Sequence, residues 1–290
     1  MKILSRPKGA AEEYGRWSVN AYLGCPNNCQ YCYLKSGPGS KMLGGGSAHL
    51  KAGIVSKEHA YHVAMAEIIE HRDEIIRDGG LFFTFTSDPC LQETRNLNFS
   101  IAEEAIYMHI PVTFLTKSLV ANTYYRHVAS GQERHLPMPE SDLFARYVAF
   151  GWTLTGCDEL EPFAADHQNR LADMHGFFAA GYKVWASLEP VIDFDASAKM
   201  FSSALSRGCR HFKIGLLTRN NRVVLSHYRK KYGDWFDFQL NQFIDEIQQF
   251  NSGHNATIYW KKSIRSVTDR DLTALPNAVG ADWSMFKQYK

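Results

Sequence analysis

Gly24-Cys25-Pro26-Asn27-Asn28-Cys29-Gln30-Tyr31-Cys32-Tyr33 is the stretch on which the reading of this chain turns. Its three cysteines, spaced C-x3-C-x2-C, follow a short apolar run, Ala21-Tyr22-Leu23, that reads as the end of a strand. A loop this short can wrap its thiolates around one soft metal centre. Iron–sulfur clusters are normally held by four cysteines, so three local ligands leave one iron without a protein thiolate unless a distant cysteine supplies it. An open coordination position is what a catalytic metal needs and a structural one avoids. Two blander readings stand beside this one. The first is a zinc site completed by Cys90, Cys157, Cys209 or one of the twelve histidines. Zinc sites usually pair two half-motifs such as C-x2-C, and no second pair exists here. The second is three buried free thiols, since unpaired cysteine behaves as a small hydrophobe; Pro26, the two asparagines and Gln30 make a poor core segment.

Outward from the loop, strand and helix patterns alternate. Residues 1–16 form a polar N-terminal segment without a period, and Arg16–Leu23 is the first strand. The glycine-rich Ser36–Ala48 must be loop, because glycine costs entropy inside elements. Ser56 is placed to cap a helix carrying Ala60, Val63, Ile68 and Ile75, which stops at Gly79-Gly80. Further strands are expected at Leu81–Thr86, Val112–Thr116, Tyr147–Thr155, Val184–Leu188 and Phe212–Gly215, with Thr257–Trp260 as a terminal one. Helices fall between them at Ile101–Met108, Ser118–Val128, around Leu171, Met174 and Phe178, at Ala196–Ser206 and at Phe238–Phe250. Six strands alternating with helices imply a parallel sheet with helical crossovers. The expected architecture is α/β, an open partial (β/α)6 barrel over residues 17–250, with residues 251–290 as a C-terminal extension. In such folds chemistry collects at the carboxyl ends of the strands. Four strands end in polar residues, Ser87-Asp88, Lys117, Thr153/Thr155 and Ser187/Glu189, which defines one mouth with the cysteine loop on it.

Composition bounds the rest. With 290 residues, 45% of them apolar, the chain can bury a full core. No run approaches the ~20 apolar residues of a membrane span, and no apolar segment follows Met1-Lys2. Six cysteines, three of them clustered, fit a reducing compartment better than a disulfide scaffold. The expectation is a soluble, cytoplasmic protein. A net charge of +2 is too mild to mark a nucleic-acid binder by charge alone.

The cysteine spacing and the aromatic residues around Cys32 resemble the signature of the radical S-adenosylmethionine (SAM) superfamily. The run Cys25–Lys41 is similar to the cluster region of the spore photoproduct lyase family, radical SAM enzymes that split a thymine-dimer lesion in DNA. The likeness continues in order through Thr86-Ser87-Asp88, Thr116-Lys117, Trp152-Thr153-Leu154, Glu161-Pro162 and Ala179-Ala180-Gly181-Tyr182. It covers roughly residues 17–250, and supports a shared fold more than a shared substrate. The resemblance implies a [4Fe–4S] cluster on Cys25, Cys29 and Cys32, whose open iron chelates SAM. Electron transfer from a reductant such as flavodoxin or ferredoxin then cleaves SAM to a 5′-deoxyadenosyl radical. It further implies that Tyr31 contacts SAM, that Tyr33 lies near the radical path, and that Ser87, Lys117 and Thr153, joined by Ser187, bind the cofactor. A lysine ammonium suits a carboxylate as a point charge.

Two departures qualify the likeness. The lyase family uses a cysteine as hydrogen-atom donor two residues before the serine of the Ser-Asp pair; Phe85 occupies that position, and Cys90 can replace it only if its loop turns the thiol into the mouth. Glu189 stands where that family has a small apolar residue. A carboxylate at such a mouth must be paired, solvated or functional: it could bind SAM, shape a polar substrate, or salt-bridge to a lysine. The C-terminal third mixes cations and aromatics, from Arg219, Arg222 and His227 through Arg229, Lys230, Lys231, Tyr232 and Trp235 to Tyr259-Trp260-Lys261-Lys262 and Arg265. That is the chemistry of single-strand binders, and equally that of a solvated helix face beside an edge strand. Three functions follow as expectations: a radical SAM enzyme acting on DNA, RNA or a nucleobase; one acting on a peptide or small metabolite; and a metal-stabilised binding module without catalysis.

Overall fold

The computed structural model describes residues 2–35, 40, 46–120, 142–217, 228, 230–280, 285 and 286. Its strands in chain order are β1 (Leu4–Ser5), β2 (Ser18–Val19), β3 (Tyr22–Leu23), β4 (His49–Leu50), β5 (Leu81–Phe83), β6 (Val112–Thr116), β7 (Val148–Thr153), β8 (Lys183–Val191), β9 (His211–Leu216) and β10 (Thr257–Trp260). The helices are α1 (Lys57–Glu70), α2 (Arg72–Arg77), α3 (Arg95–Tyr107), α4 (Asp142–Tyr147), α5 (His167–Ala179), α6 (Phe194–Ser206), α7 (Phe236–Asn251) and α8 (Lys262–Arg265).

Eight strands form the main sheet in the order β1-β2-β5-β6-β7-β8-β9-β10. From β2 to β10 every neighbouring pair is parallel, and only β1 runs antiparallel, against β2. Spatial order follows chain order, so consecutive strands are neighbours throughout the sheet. The six expected strands are present, and the terminal one, β10, adds a seventh parallel strand. No ladder joins β1 to β10 among the described residues, so the sheet is open there.

The period-2 alternation of strands sorts side chains onto two faces. Leu81, Phe83, Val112, Phe114, Phe150, Trp152, Val184, Ala186, Leu188, Phe212, Ile214 and Ile258 join the main core beneath the helices. The intervening residues point to the inner face, where Phe82, Ala149, Trp185 and Phe286 form a second apolar cluster with Tyr14, Phe85 and Leu115 against it. Further along the same face come Thr153, Ser187 and Glu189. Gly151 is required here, since a Cβ would stand 2.1 Å from the Trp185 ring. Gly80, with φ +101°, lets β5 start against Pro111 at a distance a Cβ would close to 2.1 Å.

Several boundaries differ from expectation for local reasons. The run Arg16–Leu23 splits: β2 enters the main sheet, while β3 pairs antiparallel with β4 in a separate two-stranded sheet. Leu81–Thr86 leaves the sheet after Phe83, because Thr84 and Phe85 turn to bond Asn20 Oδ1 instead. The helix capped by Ser56, whose Oγ accepts the His59 N–H at 3.0 Å, breaks at His71 into α1 and α2. Ser118, Leu119 and Val120 are not helical, and the rest of the expected Ser118–Val128 helix lies outside the described residues, as do Arg219, Arg222, His227 and Arg229. Residues 9–14, without a period of their own, reach across the inner face toward β10. No helix among the described residues is long and apolar enough to cross a membrane.

Candidate active site

The cysteine loop is clipped to the segments that follow two strands, β5 and β7. Ser87 Oγ donates to Gly24 C=O at 2.6 Å, and Asn27 Nδ2 donates to Asp88 at 3.1 Å, both just beyond β5. On the far side the Gln30 N–H donates to Leu160 C=O at 2.8 Å, and Tyr31 Oη donates to Glu161, both beyond β7. Asp88 is the knot between β5 and β6. Its buried carboxylate accepts from Asn27, from the Cys90 N–H at 2.9 Å, from Thr116 Oγ1 at 2.6 Å and from the Lys117 N–H at 2.8 Å.

These elements enclose a cavity of about 480 Å³. Cys25, Cys29 and Cys32 line it together with Tyr31, Tyr33, Ser87, Lys117, Thr153, Ser187 and Glu189. Burial and the nearby Asp88 carboxylate push the Cys25 thiol up to about 12, and burial also raises Cys29, although Lys117 acts against it. A coordinating metal reverses this logic, since a bound thiol is deprotonated outright. Burial alone would lower Lys117, yet Cys29 and Glu161 hold its ammonium above the usual lysine value; its Nζ lies 5.4 Å over the Tyr31 ring.

The chemistry of the donors distinguishes the metals. Tetrahedral zinc with Zn–S of about 2.3 Å brings its sulfurs to roughly 3.8 Å from one another. Among the described residues, the one trio of His, Cys, Asp or Glu whose ligand atoms all lie within 4.8 Å is Asp158, Glu161 and His167. At least one pair of the three loop thiols is therefore spread more widely than a single zinc requires, and no other cysteine closes on them. The trio itself is already consumed: His167 Nε2 accepts the N–H groups of Thr155 and Gly156, its Nδ1 bonds Asp158, and Glu161 pairs with Arg170.

Solved structures of spore photoproduct lyase share this architecture. The enzyme complexed with dinucleoside spore photoproduct matches at a TM-score of 0.56 and 16% identity, over 88% of this chain and 79% of that one. A mutant in which alanine replaces a cysteine matches at 0.57 and 15% over the same shares. The fold is that of spore photoproduct lyase. No protein-family model matches the chain, and no curated protein matches it in sequence.

Within the lyase fold, the residues expected at the mouth come together with two exceptions, Thr155, which is buried against Glu161 and His167, and Cys90. Cys90 is buried, 3% exposed, and is not among the residues lining the cavity. The Asp88 carboxylate accepts its amide and folds the turn back under the strand ends, so the structure does not bring this thiol to the mouth. Glu189 does line the cavity, ion-paired to Lys261 and accepting from Tyr14 Oη. Ser187 Oγ is 2.7 Å from the same phenol. Burial and Glu189 hold Tyr14 well above the usual tyrosine range, so it remains a donor. Tyr33 donates to the Phe85 carbonyl from a ring that is 58% exposed.

Other groups escaped sequence reasoning. Glu161, 3% exposed, also bonds Thr155 Oγ1 at 3.2 Å, and its partner Arg170, 0% exposed, donates to the Thr153 carbonyl at 2.8 Å. Burial would raise Glu161, but Lys117 and Arg170 hold it below the usual carboxylate range. One carboxylate thus ties Tyr31, Lys117 and Thr153 together. Tyr14 was equally hidden, because it lies in the N-terminal segment without a period; Lys261, read with Tyr259, Trp260 and Lys262 as a nucleic-acid contact or a solvated face, is instead buried against Glu189.

Proposed function

We propose that this chain is a radical SAM enzyme, with Cys25, Cys29 and Cys32 holding a [4Fe–4S] cluster at the mouth of the open sheet. The observation that carries the reading is that the three thiols line one cavity with Tyr31, Ser87, Lys117 and Thr153, each from a different segment of the chain. With a cluster held by Cys25, Cys29 and Cys32 and one electron from a flavodoxin- or ferredoxin-like donor, bound SAM would supply a 5′-deoxyadenosyl radical for hydrogen abstraction. The protein's share is positioning: Lys117 offers an ammonium to the SAM carboxylate, Ser87 and Thr153 offer hydroxyls, and Tyr31 braces the loop against Glu161. Such thiols must stay reduced, which fits a reducing compartment such as the cytoplasm. The substrate favoured by the fold is a nucleic acid or a nucleobase lesion, because a lyase of this fold is complexed with dinucleoside spore photoproduct.

One observation favours a second substrate class. Cys90 is withdrawn from the cavity while Glu189 lines it, so the site lacks a nearby thiol to return a hydrogen atom and has a carboxylate suited to a polar metabolite or peptide.

The test is anaerobic reconstitution with iron and sulfide, followed by dithionite and SAM. The expected result is a brown protein that releases 5′-deoxyadenosine or methionine, and a soluble Cys29→Ala variant that does neither. A colourless protein holding one zinc, or SAM cleavage surviving in Cys29→Ala, overturns the reading.

A further inference from the structure

On the β8 side of the cavity, across from the cysteine loop, the carboxylate of Glu189 is only half used. Tyr14 Oη and Lys261 Nζ both go to Oε2, and Oε1 makes no hydrogen bond among the described residues. The group is held firmly. Lys261 is 1% exposed and also pairs with Glu13 at 3.5 Å, while Tyr14 is fixed against Ser187. A carboxylate pinned through one oxygen presents the other in a defined direction, which is what preorganised recognition requires. Beside it stands an aromatic wall: Phe85 meets the Tyr14 ring edge-on at 6.4 Å and stacks on Phe82 at 4.5 Å, and all three rings line the cavity.

Charge narrows the ligand. An ionised carboxylate only accepts hydrogen bonds, so its partner carries N–H or O–H. Lys8, Lys35, Lys117 and Lys261 line the cavity against two carboxylates, Asp88 and Glu189, and Asp88 is saturated by its four donors. We propose that Glu189 Oε1 is the recognition point for an N–H or O–H donor on a flat group lying against Phe85 and Tyr14. This rests on reading the cavity as the reaction chamber. Two sources share the chemistry: a ring imide or amide N–H of the substrate, and the ribose hydroxyls of SAM.

Calorimetry on the anaerobically reconstituted protein separates them, with SAM, thymidine 5′-monophosphate and its N3-methyl derivative as probes. The nucleotide is chosen because it joins one imide N–H on a planar ring to a phosphate. In the native protein, N3-methylation is expected to weaken binding roughly tenfold, the loss of one charge-assisted hydrogen bond. In Glu189→Gln the unmethylated nucleotide weakens by a similar factor and the methylation penalty shrinks, with SAM affinity unchanged. If SAM alone weakens in Glu189→Gln, the donor is a ribose hydroxyl and the assignment of Oε1 stands with that source. The proposal is overturned if Glu189→Gln binds SAM as the native protein does and the native protein fails to distinguish the two nucleotides. The methylation comparison uses the native chain and so survives a variant that misfolds. N3–H discrimination in a protein that never cleaves SAM would sink the radical SAM reading and leave this one intact.

Discussion

Asp88 and Cys90 are two residues apart and end in different places, one lining the cavity and the other behind it. A sequence shows that Ser87-Asp88 ends a strand; it does not show that the carboxylate will bond the Cys90 amide and curl the turn away. The strand-end rule was enough for Thr153, Ser187 and Glu189, because side-chain direction follows from period 2 once the strands are placed; Lys117 follows directly on β6, and Ser87, four residues past β5, is held there by its bond to the Gly24 carbonyl. The rule fails for turns, whose direction depends on bonds between distant groups. Lys117 and Ser87 carry the prediction at this scale. Lys117→Ala should weaken SAM binding by about 1.5–3 kcal/mol, the contribution of one hydrogen bond to a charged group, with the cluster's visible absorbance retained. Ser87→Ala should cost less, since its hydroxyl already donates to the Gly24 carbonyl. Calorimetric SAM affinities equal to the native value in both variants would show that these residues serve only the loop.

At the scale of elements, the connection from β7 to α5 does what its sequence hides. Glu161 and Arg170 are nine residues apart across a loop, a separation no helical or strand period marks, yet their buried pair joins the cysteine loop to the end of β7. The helices and parallel strands were legible because each has a period long enough to read. The two-residue strands β3 and β4 were not, since their pairing rests on a contact between distant segments. Breaking a buried pair by removing one partner typically costs about 3–5 kcal/mol, because the remaining charge is uncompensated. Glu161→Ala should destabilise the cluster-free protein by that order in urea unfolding. The isosteric Glu161→Gln should in addition raise the midpoint potential of the reconstituted cluster, as it deletes a negative charge beside Lys117 and Arg170. Stability within error of native in Glu161→Ala would mean that the Ala165 and Thr153 carbonyls satisfy Arg170 without the ion pair.

For the whole molecule the open side of the sheet is the question. β1 and β10 are its edges, and residues 9–14 bridge from one toward the other over the inner face. Glu13 makes the far contact. Its Oε1 accepts Tyr259 Oη at 2.9 Å and the Lys262 N–H at 2.8 Å, and its Oε2 pairs with Lys261. Its carbonyl accepts Lys213 Nζ at 2.6 Å, a lysine that burial and the neighbouring Lys261 bring down to about 7. The next residue, Tyr14, holds Glu189. The segment thus fastens the last strand and shapes the cavity by the same few bonds. Glu13→Ala removes two charge-assisted hydrogen bonds and one ion pair at once. Stability should fall by about 2–4 kcal/mol, read as a lower urea midpoint. Trypsin should cut at Lys8 faster, because the released segment no longer lies against β10. The nucleotide probe should also bind less tightly, since Tyr14 would hold Glu189 less firmly. A Glu13→Ala protein with native stability and native cutting at Lys8 would show that apolar packing of Tyr14 on Phe82 and Trp185 closes this side of the sheet by itself.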